Sequence, residues 1–368
     1  MFDKLRKERP SNLKKLIPVY GDASIEGLAL RPDERQMIVE RVSVIFHVAA
    51  NVRFTEDLKR DILSNVRSTR DVCILAGAMK NLALMHVSTA YAHVDKPIID
   101  EIMYPPLTNW RDAILMVETL DEQIVRTFTS KYLGSMPNTY TFTKRLAEQV
   151  ISDYSKDLPT IIFRPSIVIS TIEDPMCGWL DNFNGPVGMM VAGAKGILRV
   201  IRVEPYICND FLPVDIAIKI MITATWKRGL ETITEDPSIH IYNGSSYQIH
   251  HINVKEVTML GLQLNEKMPF EGIIWYPRVI LTPNRLLHYV LTLFMHVLPA
   301  LIIDEILKAA ENSENHLPQR DAIELLFVQR VDYPQFQYTG CFNEASSTGR
   351  ARNLWLRLFQ VQRDRILH

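Results

Sequence analysis

The sequence predicts an α/β fold, a doubly wound parallel sheet with helices on both faces. Two observations predict it. Short apolar runs alternate with longer amphipathic ones through the first half of the chain. One of those runs, VSVIFHV, is almost continuously apolar, as a parallel strand covered on both sides must be. At 368 residues, 47% hydrophobic and 23% charged with a net charge of −1, the chain has enough apolar matter for a large core. Near-zero net charge removes any electrostatic case for nucleic acid as a partner.

Leu16 to Tyr20 reads as a strand closed by Gly21-Asp22, and Pro32 to Glu40 as a helix with proline at its first position. Val42 to Val48 is the buried strand just named. Asp57 to Met79 has helical length, and Leu82 to Val87 is the next apolar run. Asn138 to Lys156 reads as a helix, and Thr160 to Phe163 as a strand ending at Arg164-Pro165. Strand–helix alternation of this kind makes right-handed crossovers, so the sheet is Rossmann-like. Such a sheet normally opens with a strand, a glycine-rich turn and a helix whose free N–H groups hold a pyrophosphate. No GxGxxG or TGxxGxxG follows a strand near this N-terminus, so the first βαβ elements are expected to be missing. Gly185, Gly188, Gly193 and Gly196 come too late to replace that turn.

The expected organisation is an incomplete dinucleotide-binding domain over 1–165 and a smaller substrate-side region over 166–280. A hydrophobic helical segment over 281–310 and a divergent C-terminal region over 311–368 follow. Residues 286–303 (LLHYVLTLFMHVLPALII) form the longest apolar run, close to the length that crosses a bilayer. Its two histidines and proline leave spanning, interfacial and buried placements all open. The four cysteines, Cys73, Cys177, Cys208 and Cys341, lack metal-ligand spacing and are expected to be reduced thiols, with no metal site. The basic N-terminus has no apolar core after it and does not resemble a signal peptide.

Tyr140 and Lys144 stand four residues apart, on one face of the expected helix. An ammonium near a phenol favours the phenolate, and a hydroxyl nearby holds a carbonyl oxygen. Val87-Ser88-Thr89 ends the strand some 50 residues upstream. Adjacent strand residues point to opposite faces, so only one of Ser88 and Thr89 faces such a site.

The runs GDASIEGLALRPDE, VIFHVAANVRF, HVSTAYAH, NTYTFTKRLAEQ, FRPSIV and CGWLDNFNGPVGMMVAGAKGILR resemble the alcohol-forming fatty acyl-CoA reductases, insect-type members above all. These are extended short-chain dehydrogenase/reductases, and the likeness runs from about residue 2 to about residue 308. The resemblance implies reduction of long-chain fatty acyl-CoA to a primary alcohol through a bound aldehyde, with two NADPH. It implies Tyr140 as proton donor and Lys144 as its partner and ribose ligand. Thr89, or alternatively Ser88, would hold the carbonyl oxygen. It places Asp22 near the adenine, Ala49 and Ala50 against the dinucleotide, Asn65 in the following helix, and Arg164-Pro165 at the nicotinamide edge. Arg67-Ser68-Thr69 departs from the family's x-Gly-Thr. Asp210 to Asp215 matches a structural signature. Membrane association is implied, facing the cytosol on peroxisomes or endoplasmic reticulum. The rival expectations are an inactive truncated member and a membrane-associated lipid-binding protein. Beyond about Ala310 the likeness fades, leaving Leu354, Leu356, Leu358 and Phe359 as a possible short amphipathic helix.

Overall fold

A computed structural model describes residues 2–80, 83–230, 238–249 and 251–311. Leu82 and the C-terminal residues 312–368, including Leu354 to Phe359, lie outside the described residues. The chain divides into two units, residues 1–168 with 214–245, and residues 169–213 with 246 onward.

The first unit is built on a four-stranded parallel sheet: β1 (Val44–His47), β2 (Ala83–Val87), β3 (Thr160–Pro165) and β4 (His240–Gly244), paired in that order. The helices that matter for the site are α1 (Pro32–Arg41), α2, α3 (Trp110–Thr119), α4 (Thr139–Tyr154) and α5 (Val214–Gly229). Helix α2 joins Leu58–Asp61, a π turn Ile62–Arg67 and Ser68–Gly77. Leu84 and Ile162 of the sheet share a core with Ile62, Val66, Leu146 and Val150 of α2 and α4. The alternate residues Met85, Ile161 and Phe163 are also buried, and α5 packs on β2 and β3. Helices therefore lie on both faces of β2 and β3, as in a doubly wound sheet.

Local chemistry sets the helix ends. Pro32 opens α1, with Asp33 and Glu34 in its first turn and Arg41 in its last, matching the helix dipole. Asn138 caps α4 by accepting the Thr141 N–H at 2.9 Å.

The structure corrects the sequence reading in three places. Leu16 to Tyr20 forms no strand: Leu16, Ile17 and Tyr20 are exposed, and no neighbouring strand among the described residues pairs with them. An extended segment becomes a strand only through a ladder partner. The Val42 to Val48 run is not buried on both sides, because Val44 and Phe46 face outward on β1, an edge of this sheet. Residues 214–245, expected in the substrate-side region, fold with the first unit as α5 and β4.

The second unit holds two small pairings. Val200–Arg202 runs parallel to Ile280–Thr282, and Cys208–Asn209 antiparallel to Ile252–Asn253. A capping box of Asn253 and Glu256 opens its helix Val254–Lys267. The Asp210 carboxylate accepts the Ser246 N–H at 2.8 Å, a structural use of that signature. Gly196 sits at φ +75°, and a Cβ there would lie 2.1 Å from the Trp275 carbonyl oxygen. Close backbone packing accounts for this glycine. Helical residues Arg285–Thr292, a π turn Leu293–Val297 and Leu298–Glu311 run on without a break. Inside the π turn His296 Nε2 accepts the Arg199 N–H at 3.0 Å, which fixes one face of this helix to its own unit. Tyr289, Phe294 and Ile302 on it are 70%, 61% and 59% exposed. The span Arg285–Glu305 is long and apolar enough to cross a membrane.

Candidate active site

Parallel strands deliver their C-terminal ends to one edge of the sheet, where open α/β folds bind ligands. From β1 that edge receives Ala49, Ala50 and Asn51; from β2, Ser88 and Thr89; from β3, Pro165. Helix α4 adds Tyr140, Lys144 and Glu148 at spacings of four, one above another on a single face. Its other face carries Phe142, Leu146 and Val150 into the core.

The Tyr140 phenol lies near enough to Thr89 for that side chain to favour its ionised form. Lys144 Nζ donates to the Val87 carbonyl at 2.7 Å, at the very end of β2. Ser88 turns the other way, and its Oγ donates to Glu148 Oε1 at 2.6 Å. Of the two candidate hydroxyls, Thr89 is therefore the one beside Tyr140. Phe54 packs against the Tyr140 ring with centroids 5.7 Å apart and forms an aromatic side to the site.

Burial pushes the Tyr140 phenol up to about 12, with the Thr89 side chain opposing. Burial likewise draws the Lys144 ammonium down to about 8, against the pull of Glu148. The expected lowering of the phenol by the lysine is not what this arrangement shows: burial dominates, and the opposing influence comes from Thr89. The phenol is protonated at neutral pH, the state a proton donor needs.

Two of the expected cofactor residues are engaged elsewhere. Arg164 is fully buried, its Nε and one Nη on Glu148 at 2.9 and 2.7 Å. Its guanidinium also reaches the carbonyls of Asp100 and Ile102, both at 3.0 Å. Its side chain ties the site's floor together and does not line an opening. Asn65, in the π turn of α2, accepts the Asn51 N–H at 2.8 Å and donates to the Asn51 carbonyl and Thr143 Oγ1. It thereby ties the loop after β1 to α4. Asp22 lies on an exposed turn, its carboxylate accepting from the Ser24 amide and hydroxyl, which lowers its pKa. Ala49 is exposed and Ala50 half-buried, so neither blocks approach to the strand end. Ser68, in place of the family's glycine, is accommodated: it is buried and its hydroxyl donates to the Ser64 carbonyl.

Sequence reasoning missed four buried polar residues here. His93 Nε2 lies 2.9 Å from Glu148 Oε2; a carboxylate only accepts, so that nitrogen carries the proton. His47 and His86 sit side by side on β1 and β2, ring centroids 5.3 Å apart. Thr69 Oγ1 gives its one proton to the Asn65 carbonyl, so His47 Nε2 must donate to it, at 3.0 Å. Neither nitrogen of His86 has a partner among the described residues. Burial and then the nearby Lys144 charge lower both imidazoles, His47 to about 3. The signal for Glu148 was present as the third step of the Tyr140–Lys144 spacing; the histidines looked like ordinary members of apolar strands.

Residues 1–221 match the family model described as male sterility protein. The chain is 37% identical to fatty acyl-CoA reductase 1 of Homo sapiens over 314 residues, 85% of this chain and 60% of that one. It is 35% identical to fatty acyl-CoA reductase wat of Drosophila melanogaster over 308 residues, 83% of this chain and 59% of that one. The chain thus spans about three fifths of the length of these relatives. Among solved structures, the terminal R domain from the myxalamid PKS-NRPS pathway is similar at TM-score 0.52 and 18% identity, over 76% of this chain and 59% of that one. The PhqB reductase domain from Penicillium fellutanum is similar at TM-score 0.51 and 17% identity, over 96% and 78%. These two likenesses concern the fold alone. With a Rossmann-like sheet and a family match over its first 221 residues, this chain belongs to the male sterility protein family.

Proposed function

We propose that this chain reduces a long-chain fatty acyl-CoA thioester to the primary alcohol, using two NADPH and keeping the intermediate aldehyde bound. The observation that supports this most is the Thr89–Tyr140 hydroxyl pair beside Lys144 at the C-terminal edge of a parallel sheet.

The residues present suit the nicotinamide end of such a cofactor. Lys144 would hold ribose hydroxyls, Ala49, Ala50 and Pro165 would flank the ring side, and Asp22 would meet the adenine. When bound, reduced nicotinamide supplies the hydride. Thr89 holds the carbonyl oxygen by a hydrogen bond. Tyr140 stabilises the charge that develops on that oxygen and gives it a proton. As the resulting hemithioacetal collapses to aldehyde and CoA thiolate, its hydroxyl proton returns to the Tyr140 phenolate, and the same two hydroxyls serve the aldehyde oxygen in the second reduction. The Lys144 ammonium, one helical turn away, compensates the phenolate that each donation leaves.

The apolar outer face of Arg285–Glu305 supports membrane association. On this reading the protein works at a cytosol-facing membrane surface, peroxisomal or endoplasmic reticulum by family likeness. The same exposed helix favours a second reading, a membrane-associated lipid-binding member without catalysis.

Fluorescence titration with NADPH, followed by chromatography of products from palmitoyl-CoA, separates the two. The reductase reading expects saturable binding and hexadecanol formation. Lipid partitioning with no NADPH signal would favour the second.

A further inference from the structure

The face of α4 that carries Tyr140 and Lys144 carries Glu148 one turn further on, fully buried. Its carboxylate gathers groups from three parts of the chain. Ser88 Oγ comes from the end of β2 at 2.6 Å. His93 Nε2 comes from the short turn after it at 2.9 Å. Arg164 comes from β3, through Nε at 2.9 Å and an Nη at 2.7 Å. The Tyr104 ring packs on both His93 and Arg164. His93 and Arg164 outweigh the cost of burial and hold the Glu148 carboxyl down to about 2, so it is a permanent anion at neutral pH.

The backbone links this cluster to the reacting hydroxyls. Thr89 is extended, φ −154° and ψ 147°, so Ser88 and Thr89 point to opposite sides. Gripping Ser88 from one side fixes where Thr89 points on the other. Lys144 is faced by His47 from β1, by His86 and the Val87 carbonyl from β2, and by Tyr140 and Glu148 on its own helix. Both imidazoles are neutral at physiological pH, and Glu148 is the anion acting on the lysine.

We propose that Glu148 is a positioning residue for this site: it turns Thr89 toward Tyr140 through Ser88, and, one helical turn along the same face, its buried negative charge acts on Lys144. The inference rests on the reductase reading for its catalytic consequences, although the lysine's charge state is measurable without turnover.

The test compares wild-type, Glu148→Gln and Glu148→Asp chains. Three quantities are followed: thermal unfolding, the titration of Lys144 by NMR of ¹³Cε-lysine (assigned with Lys144→Arg), and the pH profile of NADPH-dependent acyl-CoA reduction. In the Gln variant the Lys144 midpoint should fall by about one pH unit. The alkaline limb of kcat should follow it down, while KM for acyl-CoA changes by less than about twofold. The Asp variant keeps the charge and loses reach, so its midpoint should stay while kcat falls roughly tenfold or more. A role confined to stability would lower the melting temperature of both variants and leave their midpoints and limbs in place. That outcome overturns the proposal. If Glu148→Gln does not fold, Ser88→Ala decides. It should lower kcat about tenfold with the Lys144 midpoint unmoved, and an unaltered kcat overturns the positioning claim. A shifted midpoint in chains that never turn over acyl-CoA would uphold the charge link and sink the reductase reading instead.

Discussion

On the proposed mechanism, removing the Tyr140 hydroxyl deletes the group that gives a proton to the oxygen held by Thr89. Tyr140→Phe should therefore lower alcohol formation by roughly 10²–10⁴-fold, the usual range for a general acid. Its melting temperature should stay close to wild type, because the half-buried ring and its Phe54 contact remain. Wild-type turnover in the purified variant would end this assignment. The neighbouring imidazoles make a separate prediction about pH. A histidine whose folded pKa is depressed binds its proton only in the unfolded chain between the two values. His47 (about 3) and His86 (well below 6.5) should thus cost stability as pH falls from 6.5 toward 3. His86→Leu removes an unpartnered buried polar ring and should raise the melting temperature at pH 5 by a few degrees, with a smaller gain at pH 8. An equal change at both values would exclude this cause. At this scale the sequence showed Tyr140, Lys144 and Thr89 because their spacing has a geometric meaning. It did not show that Arg164 is buried on Glu148, because a strand-end arginine has the same appearance whichever way it points.

Helix α2 shows how an element can serve a site it does not enter. Its π turn directs Asn65 at both backbone groups of Asn51, which holds the loop carrying Ala49 and Ala50 against α4. Asn65→Leu leaves that half-buried N–H and carbonyl without their partner and should cost about 1–3 kcal/mol in urea unfolding. It should also weaken NADPH binding more than it weakens acyl-CoA binding. A loss confined to stability would show that the loop holds its shape without Asn65. Helices α1, α2 and α4 and strands β2 and β3 were legible to within a few residues, since each combines an apolar period with an end signal such as Pro32 or Asn138. Leu16 to Tyr20 was misread for a physical reason. Apolar composition makes a segment suited to a sheet, and only a neighbour supplying hydrogen bonds makes it a strand.

Across the whole molecule, sequence order misled the domain reading. A sheet recruits strands by pairing, so β4 joins the first unit after the chain has built part of the second. The apolar stretch was visible in the sequence, whereas its orientation depended on His296 and Arg199 meeting in the fold. If the outward face of that helix seats on lipid, the purified chain should sediment with phosphatidylcholine vesicles. Replacing Phe294 and Ile302 together by aspartate should reduce the bound fraction roughly tenfold or more. Equal binding by both chains would place the lipid contact elsewhere. The outward side of β1 has a different consequence, felt in the test tube. Val44 and Phe46 stand exposed along a strand whose outer hydrogen-bonding groups meet no further strand among the described residues. Such a border is a template for another polypeptide's backbone, so concentrated solutions should tend toward intermolecular β-assembly. A lysine at Phe46 is the natural remedy when crystals or spectra are wanted.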